Sequence, residues 1–302
     1  MFLVVVIIFF IIRLIEGWGN VSKIKLIVDS TCDLSADLVA RHDIQIMPLY
    51  VTLGEDSRRD GVDITVEEVF AYSERTKTTP KTAAVTIADW IELFAPWVQQ
   101  GRDIVCLTIS DKMSSTYANA VIAAREVGGV IEVIDSMNLS TGVGLLAMLA
   151  GELINQGLEA PQVAHRLREA APKVRASFII DTLTYLYRGG RCSAVQAFAA
   201  SALNLKPEIV VVDGAMRPNR KYRGNIQRSA ERYAADVLSS AANADTARVF
   251  ITHSPSDPQI VEEVKRLVEQ SGIFREVLVT QAGCVIGSHC GPNTIGVLYM
   301  EK

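Results

Sequence analysis

The sequence predicts an α/β protein of two domains: an N-terminal, mostly parallel, doubly wound sheet, then a C-terminal α/β domain with a mixed, partly antiparallel sheet. Three observations lead there. Short apolar runs alternate with capped helices through the first half, the pattern of a parallel sheet covered on both faces. The second half adds a hairpin signature, Asp213-Gly214, between extended runs. The length of 302 residues suits about two domains. The division falls at 23–173 and 174–302, with residues 1–22 an apolar extension ahead of them.

Taken in order, Lys25 to Val28 reads as a buried strand ending at Asp29. Ser35 caps a helix to about His42. Ile44 to Leu53 follows as one extended segment, and Asp60-Gly61 is a turn. Thr65 and Glu68 form a capping box for a helix from Val66 to about Arg75. Thr86 caps the next helix, through about Gln100. Ile104 to Ile109 is a strand, and Ser114 or Ser115 opens a helix to about Val127. Val130 to Ile134 is a strand ending at Asp135. Ser140 or Thr141 then opens a long helix that stops before Gly157.

The second region starts with a strand at Ser177 to Ile180 and a helical turn at Leu183 to Tyr187, halted by Gly189-Gly190. Ser193 to Leu203 is an alanine-rich helix, suited to tight packing or to a lipid-facing wall. Glu208 to Val212 begins the hairpin. Helices near Ile226 to Ser240 and Asp257 to Gln270 flank a strand at Arg248 to Thr252, and Val277 to Thr280 with Ile295 to Met300 complete the second sheet. No low-complexity linker separates the halves, so close packing with a cleft between the domains is expected.

Composition narrows the function classes. At 49% hydrophobic and 21% charged residues, a packed core is expected. A net charge of −4 argues against a broad nucleic-acid footprint. Arg217, Arg220, Lys221, Arg223 and Arg228 form a local basic group, read as a solvated loop or as a docking patch. Five cysteines without a C-x-x-C pair fit reduced thiols in a cytoplasmic protein. Cys284, His289 and Cys290 match no zinc spacing, so no metal is expected.

Phe2 to Ile12 is an unbroken apolar run of 11 residues, short of the ~20 that span a bilayer. It has no basic stretch before it and no clear cleavage site after it. The preferred expectation is that native translation starts inside this region, with Val21 as a candidate initiator. A membrane tether through Ile15 is the alternative, and any membrane contact is otherwise expected to be transient.

Gly287-Ser288-His289-Cys290-Gly291-Pro292 places a hydroxyl and an imidazole between glycines, just before the last strand. Glycines there permit sharp turns and close backbone approach. Asp29-Ser30-Thr31, Lys81-Thr82, Ser110 to Thr116 and Arg188-Gly189-Gly190-Arg191 also follow strand-like runs. In open α/β sheets ligands bind beyond the C-terminal strand ends, where Asp29, Ser110 and Asp135 fall; capping of turns is the other use of such residues. Together these segments point to a small anionic ligand. There is no P-loop, no G-x-G-x-x-G after the first strand and no G-x-S-x-G elbow.

In chain order, several motifs resemble those of the DegV family: Asp29-Ser30-Thr31-Cys32-Asp33-Leu34, Pro80-Lys81-Thr82, Ile109 to Tyr117, and Val133-Ile134-Asp135-Ser136. The later ones are Tyr185-Leu186-Tyr187-Arg188-Gly189-Gly190-Arg191, Leu203-Asn204-Leu205-Lys206-Pro207, and Ile286 to Pro292. The resemblance runs from Lys25 to Tyr299. It implies a two-domain α/β fold with a long-chain fatty acid buried between the domains. It also implies a non-catalytic binding subunit without a cofactor, presenting the carboxylate to a separate fatty-acid kinase that makes an acyl phosphate.

Carried over by position, Thr82 and Ser114 look like the hydroxyls that hold the carboxylate, with His289, Arg191 and Ser288 at the same end. A buried carboxylate needs such donors because desolvating it unpaired is costly. This chain departs from the family pattern at Ala83-Ala84-Val85, where Ser-Gln-Pro is usual, at Ser115, where glycine is usual, and at Cys290, where threonine is usual. The non-lipid alternatives are a turn role for Thr82, an N-cap for Ser114 and a structural role for His289 and for His253. Arg191 suits ligand neutralisation, domain contact or partner contact, and Arg188 suits docking. A rival from another class is a hydrolase or acyltransferase using Ser114 or Cys290 with His289.

Overall fold

The first strand of the chain is apolar on both faces. Leu26 and Val28 pack into one buried cluster, and Ile27 between them packs into another. Side chains alternate across a strand, so this strand must be sandwiched. The structure, a computed structural model, describes residues 23–192 and 205–302. The apolar run Phe2 to Ile12 and the expected helix at Ser193 to Leu203 lie outside the described residues.

The first half runs β1 (Ile24–Asp29), α1 (Ala36–Arg41), β2 (Ile44–Met47), β3 (Tyr50–Leu53), β4 (Asp56–Arg59), α2 (Val66–Thr76), β5 (Lys81–Ala83), α3 (Ile87–Gln99), β6 (Asp103–Thr108), α4 (Thr116–Val127), β7 (Ile131–Asp135), α5 (Thr141–Asn155) and α6 (Ala160–Ala170). The second half runs β8 (Val174–Ile179), α7 (Thr184–Gly189), β9 (Leu205–Val212), β10 (Ala215–Arg223), α8 (Ile226–Ser240), β11 (Ala244–His253), α9 (Pro258–Gln270), β12 (Glu276–Gln281), α10 (Cys284–Cys290) and β13 (Ile295–Glu301).

Two sheets carry the architecture. The first is four-stranded and wholly parallel, in the order β2-β1-β6-β7. The second has six strands in the order β10-β9-β8-β13-β11-β12, antiparallel except for the β11–β12 pair. Both match the expected classes. Trp90, Phe94, Ala120 and Ala123 of α3 and α4 cover one face of the parallel sheet. α5 and α6 fill the space between the sheets, where Val143, Leu146 and Ala147 share a cluster with Leu26, Val105, Phe250 and Leu298. α8 and α9 cover the far face of the second sheet through Tyr233, Ala234, Val261 and Val264. The result is five layers, alternately helical and sheet.

Local chemistry set most boundaries as expected. Thr65 with Glu68 makes both bonds of a capping box, and Thr86 with Asp89 makes another. Several elements depart from expectation, two of them instructively. Ile44 to Leu53 is not one segment: β2 joins the parallel sheet, whereas β3 crosses into a small antiparallel sheet ordered β4-β3-β5. Pro48 sits at the break, where its missing N–H cannot serve a ladder. α6 was not expected; its buried Ala160, Val163, Ala164 and Leu167 follow helical spacing.

Among the described residues, no helix is long and apolar enough to cross a membrane.

Candidate functional site

A cavity opens beyond the C-terminal ends of β6 and β7. Its polar lining is Thr82, Ser114, Arg191 and His289, and its apolar walls include Ile109, Leu139, Met216 and Ile286. Four of the five residues singled out from sequence therefore meet at one place, although they come from distant parts of the chain. A second, nearly apolar cavity shares Leu139, Ile286 and Cys290 with it and extends to Phe178, Gly296 and Leu298 of the six-stranded sheet. With their mouths, the two enclose about 490 and 340 Å³ between atoms. The walls nevertheless stand close: the room open to a water molecule's centre is only about 40 and 20 Å³. The space is thus a pair of narrow chambers that share Leu139, Ile286 and Cys290 in their walls.

Each polar side chain is fixed by its element. Thr82 lies on β5, registered opposite Val51 of β3. Ser114 precedes α4; its Oγ accepts the Thr116 backbone N–H at 3.2 Å and lies 2.8 Å from Thr116 Oγ1. It sits one residue before the N-cap, Ser115, and also faces the cavity. His289 occupies the last turn of α10, with Nε2 2.8 Å from Thr82 Oγ1. No group among the described residues bonds its Nδ1, which is buried. Burial, together with the nearby Arg191 charge, pushes the His289 pKa down to about 4. The ring is therefore neutral at physiological pH and serves as an uncharged hydrogen-bonding group. Arg191 is exposed at the rim and folds its guanidinium back on the Gly189 carbonyl at 2.8 Å.

The cavity thus combines hydroxyls, a neutral imidazole and one guanidinium at one end with an apolar interior at the other. The chain matches the family model described as "Uncharacterised protein, DegV family" over residues 23–302. It belongs to the DegV family. A DegV domain-containing protein of Clostridium perfringens is 31% identical over 281 residues, covering 93% of this chain and 99% of the relative. Among solved structures, a fatty-acid-binding DegV family protein from Thermus thermophilus superimposes with a TM-score of 0.84 at 31% identity, over 92% of this chain and 99% of that one. A stearic-acid-binding protein from Eubacterium ventriosum gives a TM-score of 0.83 at 29% identity, over 92% and 98%.

Several expectations for this DegV chain need correction. Ser288 does not reach the cavity. It is buried, and its Oγ donates to the Cys284 carbonyl one turn back at 2.7 Å, a common use of a helical serine. Gly287 to Cys290 of that run close α10 rather than forming a turn; Gly291, at φ +80°, leaves the helix, and a Cβ there would lie 2.6 Å from the Tyr185 ring. The strand-end residues are taken up by structural hydrogen bonds, some of them between distant parts of the chain. Asp29 accepts from Thr31 and from the Ile109 N–H, Asp135 accepts from the Met137 N–H, and Ser110 donates to the Gly214 carbonyl. Arg188 donates to the Lys77 carbonyl, and His253 Nδ1 lies 2.8 Å from the Ser254 carbonyl. The basic group Arg217 to Arg228 lies exposed on β10 and α8, with Arg220 paired to Asp236.

The geometry also disfavours the nucleophile reading. Ser114 is bonded to Thr116, not to His289. Burial pushes the Cys290 thiol up to about 12, far from a reactive thiolate. The hydroxyl that does meet His289 is Thr82, but among the described residues no third group orients the ring through Nδ1, as an activated nucleophile requires. Sequence reasoning missed the apolar walls Leu139, Met216 and Ile286, because buried apolar residues carry no signal that separates cavity from core.

Proposed function

We propose that this chain binds a long-chain fatty acid, with the carboxylate at Thr82, Ser114, His289 and Arg191 and the acyl chain running past Ile286 toward Phe178 and Leu298. The convergence of those four polar side chains on the mouth of an apolar cavity carries the proposal. Fatty-acid binding by the Thermus thermophilus and Eubacterium ventriosum proteins supports it. The two parts, 23–173 and 174–302, act as domains that close on the chain, since both contribute cavity walls.

Magnitudes divide the labour. Each buried methylene contributes ~0.8 kcal/mol, so ~14 of them contribute roughly 11 kcal/mol before association costs. A hydrogen bond to a charged group adds ~1.5–3 kcal/mol. The tail supplies affinity, and the head-group residues select an acid and set its orientation. The walls must part to admit the tail, and Met113, Met216 and Ile286 have the rotamer freedom to do so.

We further propose that the protein works in the cytoplasm as a non-catalytic carrier that offers the carboxylate to a separate fatty-acid kinase. Arg191 at the rim and the lack of a phosphate-cradling motif support that division. Native mass spectrometry after mild purification is expected to find a co-purified acyl chain. A protein that carries none and does not bind added stearic acid would refute the proposal.

A further inference from the structure

The opening motif Asp29-Ser30-Thr31-Cys32-Asp33 lines neither chamber, yet all but Ser30 are buried. Asp29 is bound within the first half of the chain, as described above. Asp33 reaches into the second half. Its Oδ1 accepts the Gly283 backbone N–H at 2.8 Å, and its Oδ2 lies 2.5 Å from Ser140 Oγ. Asp60, at the turn before α2, does the same from another direction. Its Oδ1 accepts the Cys284 N–H at 2.9 Å, and its Oδ2 accepts from Ser30 Oγ at 2.8 Å.

Gly283 is the N-cap of α10, and Cys284 is its first residue. The early N–H groups of a helix have no partners inside it. Here two of them are taken by carboxylates that lie in the first half of the chain. Each carboxyl group meets α10 with one oxygen and a first-half hydroxyl with the other. The opposite end of the same helix carries His289, which bonds Thr82, again in the first half. Cys284 and His289 share one short, internally hydrogen-bonded helix, so a rotation at Cys284 is carried to His289 and away from Thr82.

We propose that Asp33 and Asp60 are positioning residues for the head-group site: by accepting the Gly283 and Cys284 N–H groups they fix the rotation of α10 and hold His289 against Thr82. The effect on ligand affinity rests on the function proposed above, whereas the effect on His289 does not.

The test combines the imidazole proton–carbon correlation of His289, recorded without ligand, with the Kd for stearic acid. Gly283→Ala is the mild variant. Its Cβ would sit 3.3 Å from Asp33 Oδ1 and 3.3 Å from Asp60 Oδ1, at an ordinary φ of −72°. Asp33→Ala with Asp60→Ala removes both acceptors, and Asp33→Asn with Asp60→Asn keeps a carbonyl at each place. Gly283→Ala and the alanine pair are expected to shift the His289 signal. They should weaken binding about tenfold, the scale of one lost buried hydrogen bond, while the asparagine pair stays near wild type.

Val264→Ala, in the cluster beneath α9, is expected to lower Tm without moving either readout. The proposal is overturned if Gly283→Ala leaves both readouts at wild type, if the asparagine pair fails as badly as the alanine pair, or if Val264→Ala moves both equally. Should the alanine pair not fold, Gly283→Ala decides. Should the wild type not bind stearic acid, the proposed function fails and the His289 signal alone decides this point.

Discussion

Gly189 lies against His289: a β-carbon built on Gly189 would stand 2.3 Å from His289 Nδ1. Gly189 closes α7, so the glycine pair before Arg191 does more than stop a helix. It provides the bare backbone on which the imidazole rests. With Nδ1 turned to that surface, the ring has Nε2 left for hydrogen bonding, and Nε2 meets Thr82.

Gly189→Ala should therefore displace the ring and break the Thr82 contact while leaving the fold intact, because alanine is a better helix former than glycine. Stearic acid affinity is expected to fall about tenfold. Equilibrium binding checks this, with circular dichroism to establish folding. An unchanged Kd would show that the ring's placement is irrelevant to binding.

The neutral state of His289 is separately testable. Burial, then the Arg191 charge, depresses its pKa to about 4. A ring titration by NMR should have its midpoint well below the ordinary 6.5, and Arg191→Ala should raise it. Because the folded pKa lies below the unfolded one, His289 contributes stability above the unfolded value. That contribution is lost as pH falls from 6.5 through about 4. His289→Gln should flatten this limb, whose size is at most ~3 kcal/mol. A wild-type midpoint near 6.5 would contradict the desolvated geometry.

Much of this was legible in the sequence, and the failures have physical causes. Capped helices such as Val66–Thr76 and apolar strands such as Ile24–Asp29 announce themselves through caps and periodicity. β4 could not be found that way: Asp56-Ser57-Arg58-Arg59 is polar throughout and largely exposed, held only by its pairing with β3. Thr82, Ser114, Arg191 and His289 could be named because they fall in motifs that resemble those of the DegV family; only Arg191 and His289 also stand near glycines. Ser288 stood out for the same reason and was misassigned, because sequence cannot tell a hydroxyl aimed at a ligand from one folded back on its own helix. The partnership of Asp33 and Asp60 with α10 links residues more than 200 positions apart, which no local pattern records.

Asp33 gives a pH dependence of opposite sign. Burial pushes its pKa up to about 8, and Asp60 and Asp29 add to the rise. A raised acid pKa means that the stabilising contribution is complete below the unfolded value of 3.8 and is lost as pH rises through about 8. Cys32 and Cys290 also face this carboxylate; burial raises both thiols, keeping them uncharged through neutral pH. Asp33→Asn should thus gain stability relative to wild type between pH 6 and 9, in steps that chemical denaturation at each pH can follow. A constant difference across that range would show that Asp33 is already ionised at neutral pH.

The wall shared by the two chambers carries the last prediction. Ile286 lines both and is buried, so on the proposed route the acyl chain must pass its side chain. Ile286→Phe should block the second chamber while sparing the head-group end. Stearic acid extends decanoic acid by about eight methylenes, each worth ~0.8 kcal/mol when buried. In the wild type that difference should appear as a steep preference for the longer acid. In Ile286→Phe the extra methylenes have nowhere dry to go, so the preference should shrink toward nothing while decanoic acid affinity changes little. Titration of both acids against both proteins decides it. A variant that keeps the full chain-length preference would show that the tail takes another route and that the chamber at Phe178 and Leu298 is merely loose packing.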